Sequence, residues 1–397
     1  MLLSELVTSL STDYFKWDCY INGRCCVSAT PVFLRRQDYE ELVSLARQFD
    51  RLIKKTIQMV MENTALRRPF GFSRVEQQAL DSDRGRPSRY VSLVARYDFC
   101  QTYKGQWKAA EFNTDVPGGH PEAVGLNQLL GREFPEHYNP DHLLAALQQA
   151  LVGDSLDKTV AVLYATGFSE DLQVAQLIRN YLTKRGIRTL LGSPINLQRR
   201  GNHAELFGER IDVIYRYYPA DWLSALAYRP RQEFLRICSD LTTQVNPFAQ
   251  IICQNKKISA FWWKQQNLFS RREQDLIQKH VPRTIGFRRD RQHEYKSRQA
   301  ELVLKRAHGR MGEQVLLGDC ATPEEWAQAL ADIAAYEPEQ WTVQEYFHTR
   351  PVLHEDKKMY PCYGVYVIGG EVAGLYTRLS PTPRTAYDAL NVATLVV

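Results

Sequence analysis

Residues 92–119 read SLVARYDFCQTYKGQWKAAEFNTDVPGG. Two alternating runs flank Tyr103-Lys104-Gly105-Gln106, the pattern of a β-hairpin. If Lys104 and Gly105 form a two-residue turn, Asp98 faces Glu111 and Arg96 faces Asn113. Side chains alternate between the two faces of a strand pair. Those four residues therefore share one side, and Tyr97, Phe99, Ala110 and Phe112 share an apolar other side. Carboxylates opposed on paired strands repel, at a cost of up to about 1 kcal/mol unless something neutralises them. Asp, Glu and Asn oxygens are what Mg²⁺ accepts, with water and phosphate oxygens completing its octahedron. A surface hairpin with incidental charges is the competing reading. The segment runs on into Thr114-Asp115-Val116-Pro117-Gly118-Gly119 and a helix expected from about Pro121. Two glycines let the backbone approach a ligand closely, and a helix N-terminus favours an anion.

Outward from the hairpin, the 397 residues are long enough for two or three packed lobes, and 44% apolar with 24% charged residues is an ordinary globular composition. No apolar run approaches the roughly 18 residues of a membrane span. The opening MLLSELVTSLSTDYFKWDCY carries an early Glu5 and no basic stretch, so no secretory leader and a cytoplasmic location are expected. Eight cysteines include the neighbours Cys25 and Cys26 but no Cys-x-x-Cys pair; scattered reduced thiols, without zinc, are the expectation. The net charge of +5 has one dense run, Arg288 to Arg298. Without an aromatic platform or a reader motif, that run reads as a solvated face or a guard around an anion rather than a nucleic-acid site.

Apolar residues Leu42, Val43, Ala46, Phe49, Leu52, Ile53, Ile57 and Val60 predict an amphipathic helix from Asp38 to about Asn63, with Asp38 as N-cap and Glu41 completing a capping box. From about Thr159 to Tyr217, a buried strand, an amphipathic segment from Asp171 to Arg185, a strand after Gly186 and ERIDVIYRYY predict a small βαβ lobe. Helical stretches follow at ISAFWWKQQ and from Ser270 to His280, then strands at ELVLK and TVQEYF, and a hairpin turning at Gly369-Gly370.

Lys256 lies in QIICQNKKISAFWW, and Lys305 ends the strand ELVLK before the loop Ala307-His308-Gly309-Arg310-Met311-Gly312. A lysine beside a glycine-bearing loop suits phosphate, through a point charge and backbone N–H groups. The loop is neither Walker A nor G-x-G-x-x-G, which argues against P-loop enzymes and protein kinases. A single Gly167 after the strand at Val160 to Tyr164 is no dinucleotide fingerprint.

ARYDF, KAAEFNTDVPGG, NKKISAFWW with its downstream VPRT, VLKRAHGRMGEQV, VQEYF and GGEVAGLYTR, in that order from about residue 90 to 380, resemble the glutathionylspermidine synthase type of ATP-grasp ligase. In that type the metal ligands precede the phosphate-binding lysines. The resemblance implies an α/β chain of ATP-grasp architecture, with antiparallel sheets sandwiching the nucleotide and a small pre-ATP-grasp-like βαβ lobe. The lobes would be an N-terminal helical region at 1–90, the metal-binding hairpin and helix at 91–150, the βαβ lobe at 151–250 and the nucleotide-binding lobes at 251–397. It implies that Asp98, Glu111 and Asn113 hold two Mg²⁺ ions, that Arg96 contacts phosphate or the acyl group, and that Arg378 lies near the transferred phosphate. It further implies that Lys256 and Lys305 bind ATP phosphates beside Gly309 and Gly312, that Arg310 sits on a closing loop, and that Gln344, Glu345, Tyr346 and Phe347 form the adenine hinge. The activity implied is ATP-dependent joining of a carboxylate to an amine through an acyl phosphate, on small-molecule or peptide substrates, with no nucleic acid or membrane partner. A phosphotransferase on a hydroxyl acceptor and a catalytically silent nucleotide-binding protein are the alternatives. Two departures stand out: no amidase domain of the kind some members carry is expected in these 397 residues, and Met311 stands where an acidic residue is expected.

Overall fold

The hairpin forms in the computed structural model, which describes residues 1–86, 88, 93–309 and 314–397. Its strands, Val94–Gln101 and Trp107–Asn113, place Arg96 opposite Asn113 and Asp98 opposite Glu111, the expected register. The route to that register differs from the two-residue turn. The Thr102 amide donates to the Gln106 carbonyl at 2.9 Å, enclosing a longer loop in which Gly105 takes φ +76°, a left-handed value that suits glycine. A β-bulge then absorbs the extra residue: Phe99 lies opposite Ala109, and the register skips Ala110. The bulge exchanges two alanines. Ala109 packs into the core, whereas Ala110, expected on the apolar side, lines a cavity.

The hairpin forms one edge of an antiparallel sheet that continues through Lys357–Ile368, Glu371–Ser380 and Leu390–Val392, with Val352–His354 paired beside Lys357–Ile368. The two long strands turn at Gly369-Gly370, both at positive φ (+62° and +94°), as a type I′ turn requires. One face of this sheet presents Tyr97, Phe99, Phe112, Val365 and Leu375, and the helix Arg36–Glu62 packs Leu42, Phe49, Ile53, Ile57 and Val60 into the same core. That helix starts earlier than its expected cap. Arg35 is the N-cap, and Asp38 lies in the first turn, accepting from Arg35 Nε (2.6 Å) and Gln101 Nε2 (3.2 Å). An acid there still faces the positive helix end, which is why it marks the start without being the cap.

The βαβ reading resolves into a parallel sheet of order Thr243–Val245, Val213–Arg216, Val160–Leu163, Thr189–Gly192, with the helix Ser169–Thr183 following Val160–Leu163. A three-stranded antiparallel sheet within Leu197–Ile211 follows it; its last strand, Glu209–Ile211, takes the first residues of ERIDVIYRYY, and its other two strands have no counterpart in the sequence reading. A further antiparallel sheet orders Thr284–Gly286, Trp341–Glu345, Leu302–Arg306 and Val315–Leu317, and the helix Pro323–Tyr336 buries Trp326 in the same core. Ser270 caps the helix Arg271–His280 through a capping box with Glu273, and ISAFWWK is helical at Ile258–Lys264.

The basic run is laced to acids of its own neighbourhood, Arg288 to Asp290, Arg291 to Glu294, and Arg298 to Glu294 and Glu301, as a solvated face would be. All eight cysteines are free thiols. Among the described residues no helix is long and apolar enough to cross a membrane.

Candidate active site

The polar face of the hairpin sheet and the inner face of the sheet carrying Lys305 line a cavity of about 470 Å³. Asp98 lies at its floor, 1% exposed. Arg96 donates to Asp98 through Nε to Oδ1 (2.8 Å) and Nη2 to Oδ2 (3.0 Å), Arg378 Nη2 donates to Oδ2 at 2.6 Å, and Asn113 Nδ2 donates to Oδ2 at 3.2 Å. Burial pushes the Asp98 carboxyl up, but Arg378 and Arg96 outweigh it and hold the group below its usual range. Opposite, Glu111 accepts from Lys256 Nζ at 2.7 Å. Burial raises Glu111 too, and Lys256 outweighs that, so it also stays ionised. The two opposed carboxylates are thus each neutralised by a protein cation.

Lys256 Nζ also donates to the Gly309 carbonyl where the glycine loop begins, and the Lys256 amide donates to the Ala307 carbonyl at 2.9 Å. Lys305 Nζ donates at 3.2 Å to the carbonyl of Ala110, the residue the bulge turned toward the cavity. Burial pushes the Lys305 ammonium down to about 8, against the pull of Glu111 and with added repulsion from Lys256. A charged group held this near neutrality in a cleft is a common mark of a functional site.

Gly118 and Gly119 join the hairpin to the helix His120–Glu133. The Gly118 carbonyl accepts from Arg96 Nη1 and from the Tyr366 hydroxyl, both at 2.6 Å. Gly119 takes φ +86°, and a Cβ there would stand 2.6 Å from the Tyr376 hydroxyl, so the wall Tyr366 and Tyr376 make depends on a residue without a side chain. The preceding turn is fixed from below. Asp115 pairs with Arg216, both fully buried, and Asp115 Oδ2 accepts from the Ala220 amide at 2.9 Å. Asn246 donates to the Val94 carbonyl (2.6 Å) and the Thr114 carbonyl (2.9 Å), tying the end of the parallel sheet to both hairpin strands.

Of the hinge residues, Gln344, Tyr346 and Phe347 line the cavity, whereas Glu345 is exposed outside it. Gln344 Nε2 donates to Thr284 Oγ1 (2.9 Å), and the Glu345 and Tyr346 amides donate to the carbonyls of Arg283 (2.8 Å) and Glu301 (2.7 Å). Gly309 lines the cavity; Arg310 and Gly312 lie outside the described residues. The fold therefore gathers Arg96, Asp98, Glu111, Asn113, Lys256, Lys305, Gly309, Gln344, Tyr346, Phe347 and Arg378 around one space.

The other end of the cavity holds residues that no motif announced. Lys16 Nζ pairs with Asp18 Oδ1 and Glu122 Oε1, both at 2.7 Å, beside Glu170 and Asp171. Glu122, just after Pro121 in the first turn of a glycine-led helix, offered a signal; Lys16 and Asp18 sit in irregular chain and offered none.

Among the described residues no group of three or more His, Cys, Asp or Glu side chains is placed to hold a metal ion. Asp98, Glu111 and Asn113 supply two carboxylates and one amide. That set fits Mg²⁺ as one that takes few protein oxygens and shares the rest of its octahedron with phosphate.

A sequence-family description, glutathionylspermidine synthase preATP-grasp, matches residues 7–396. No curated protein matches the chain. Among solved structures, a protein from Methylobacillus flagellatus KT, provisionally named a gamma-glutamylcysteine synthetase, superposes with a TM-score of 0.49 at 13% identity, covering 92% of this chain and 87% of that one.

Proposed function

The chain belongs to the glutathionylspermidine synthase preATP-grasp family, and from that premise, which makes it an ATP-dependent ligase in general terms, we propose that it joins a carboxylic acid to an amine through an acyl phosphate. The observation that carries the reading is the pairing of Asp98 with Arg96 and Arg378, and of Glu111 with Lys256, in one cavity. Oxygen ligands for a metal and cations for phosphates stand within contact of each other before any ligand arrives.

In this reading Asp98, Glu111 and Asn113 would hold Mg²⁺, which would supply positive charge to offset the charge that develops on phosphoryl transfer. Lys256 and Lys305 hold the phosphates. Gln344, Tyr346 and Phe347 take the base, on a segment whose Glu345 and Tyr346 amides are already donated within the protein. Arg96 and Arg378 steady the acid's carboxylate and the transferred phosphoryl group. A carboxylate cannot expel oxide when an amine attacks it, so its oxygen first attacks the γ-phosphorus in line, and ADP departs. The amine then adds to the acyl carbon, and phosphate leaves. The protein contributes position, charge and exclusion of water rather than covalent chemistry. The same reading assigns Arg310 to shielding the acyl phosphate from water and Gly312 to the phosphates, both outside the described residues.

Positional isotope exchange tests this. With ATP labelled at the β,γ-bridge oxygen and a panel of carboxylic acids without amine, the right acid should scramble the label, because ADP and acyl phosphate form reversibly. ADP formation on hydroxyl acceptors with no scrambling by any acid would make the protein a phosphotransferase instead.

A further inference from the structure

Two cysteines face each other in the wall of this cavity. The strands Val94–Gln101 and Lys357–Ile368 pair antiparallel with Tyr363 opposite Phe99, so the next residues in register are Cys362 and Cys100. Both line the cavity, and their thiols lie within interaction range of each other. Residues directly opposed on antiparallel strands have Cα atoms about 4.5–5.5 Å apart, inside the range a disulfide needs. At such a separation a bond is made chiefly by rotating the two side chains. Cys362 Sγ also accepts from Arg378 Nη2 at 3.6 Å, and the same nitrogen donates to Asp98. A second opposed pair, Cys19 and Cys26, differs: the Cys19 thiol donates to the Lys16 carbonyl (3.2 Å) and the Cys26 thiol to the carbonyls of Arg24 and Asp388 (3.5 and 3.7 Å).

We propose that Cys100 and Cys362 are a reversible oxidation site in the wall of the nucleotide cavity, closed by low-molecular-weight disulfides and opened by thiols. In the first exchange the Cys362 thiol gives up its proton, its sulfur attacks one sulfur of the small disulfide, and one small thiol leaves. In the second, Cys100 loses its proton and attacks Cys362 Sγ, forming the Cys100–Cys362 bond and releasing a second small thiol. Two protein thiols are oxidised by two electrons, and the small disulfide takes up those electrons and both protons. Once linked, Cys362 is held against Cys100 and withdrawn from Arg378. The cross-link also stiffens the strand two residues from Asp98. The linkage stands on the register alone; its effect on Mg²⁺-ATP rests on the proposed ligase reading.

The test exposes the folded protein to 2-hydroxyethyl disulfide, traps remaining thiols by alkylation and maps peptides by mass, while Mg²⁺-ATP affinity is measured by calorimetry. The expected result is a Cys100–Cys362 linked peptide 2 Da lighter than the two reduced peptides together. Mg²⁺-ATP binding should weaken at least about fivefold, recover with dithiothreitol, and show no such response to the oxidant in Cys100→Ala or Cys362→Ser. Absence of that linked peptide overturns the site, as does an equal response to oxidant in both variants. A linked protein with unchanged affinity overturns the control of binding. If the reduced protein does not bind Mg²⁺-ATP at all, the ligase reading fails while the peptide map still decides the linkage.

Discussion

Replacing Glu111 with Gln keeps the shape of the side chain and removes its charge, which separates a metal-site residue from a structural one. Without ligand, Glu111 pairs with Lys256 at 2.7 Å, the two side chains 25% and 9% exposed. A buried charge-assisted contact is worth about 1.5–3 kcal/mol. Partial exposure of Glu111 puts this one at the low end, and loss of the Asp98–Glu111 repulsion returns up to about 1 kcal/mol. The ligand-free variant should therefore be less stable by roughly 1 kcal/mol, a melting shift of about 1–3 °C. The effect with ligand is larger. At Mg²⁺-ATP one hundred times its Kd, the wild type gains about 2.7 kcal/mol; a variant binding about a hundredfold more weakly gains only about 0.4 kcal/mol at the same concentration. Turnover should fall at least about a hundredfold, roughly 2.7 kcal/mol of transition-state stabilisation. Thermal melting with and without Mg²⁺-ATP, beside ADP release once an acid is found, measures both. A variant that melts lower without ligand yet keeps the full Mg²⁺-ATP gain would leave Glu111 as a structural partner of Lys256 and move the metal site elsewhere.

Three further outcomes follow from the same geometry. Lys305 titrates near 10.5 unfolded and near 8 in the fold; between those values the unfolded chain holds a proton the fold has lost, so ligand-free stability should rise with pH through that window. Phosphate favours the ammonium, so Mg²⁺-ATP affinity should weaken above pH 8 in the wild type and stay flat in Lys305→Arg; a flat wild-type profile by calorimetry from pH 7 to about 9.5 removes Lys305 from the phosphate site. Asp98→Asn strips the anion from between Arg96 and Arg378 and should cost about 3–5 kcal/mol in denaturant unfolding, whereas a cost under about 1 kcal/mol would mean the arginines find other partners. Gly119→Ala puts a methyl group 2.6 Å from the Tyr376 hydroxyl at a positive φ and should lower stability by about 1–3 kcal/mol; melting unchanged from the wild type would show that the Tyr366–Tyr376 wall yields.

The hairpin was legible in sequence because its two faces differ so sharply in polarity that only one register suits both. Its turn was not, since a longer loop plus a bulge gives the same pairing of Asp98 with Glu111 as a tight turn without one. The difference surfaces at Ala109 and Ala110, identical neighbours whose exchange between the two faces leaves no mark in the sequence. Lys256 and Lys305 could be singled out by position beside the glycine loop. Their partners could not, because Glu111 and the Ala110 carbonyl lie more than a hundred residues away along the chain. Arg216 shows the same limit from the other side: a guanidinium inside DVIYRYY must be paired when buried, yet nothing local points to Asp115. Lys16 and Asp18 were silent for a plainer reason. They carry no periodicity and no motif, and reach the cavity only because the fold brings the N-terminal segment beside the helix His120–Glu133.

The ion pairs in the ligand-free cavity bear on how ATP and Mg²⁺ would bind under the proposed reading. Arg96 and Arg378 spend their charge on Asp98, and Lys256 spends its charge on Glu111. A metal ion alone meets carboxylates already paired with cations, and the cations it displaces are left buried beside it. ATP alone meets cations already neutralised, and drawing them off exposes two opposed carboxylates to each other and to the phosphates. Each single arrival leaves an uncompensated buried charge, the costly case for any buried pair. Joint arrival leaves none: the metal takes Asp98 and Glu111 while the phosphates take Lys256, Arg378 and the Lys305 ammonium. The same contacts that keep the empty cavity stable therefore favour the Mg²⁺-ATP complex over either component. They also place Arg378 between the Asp98 carboxylate and the Cys362 sulfur, so that a change at either is felt at the other.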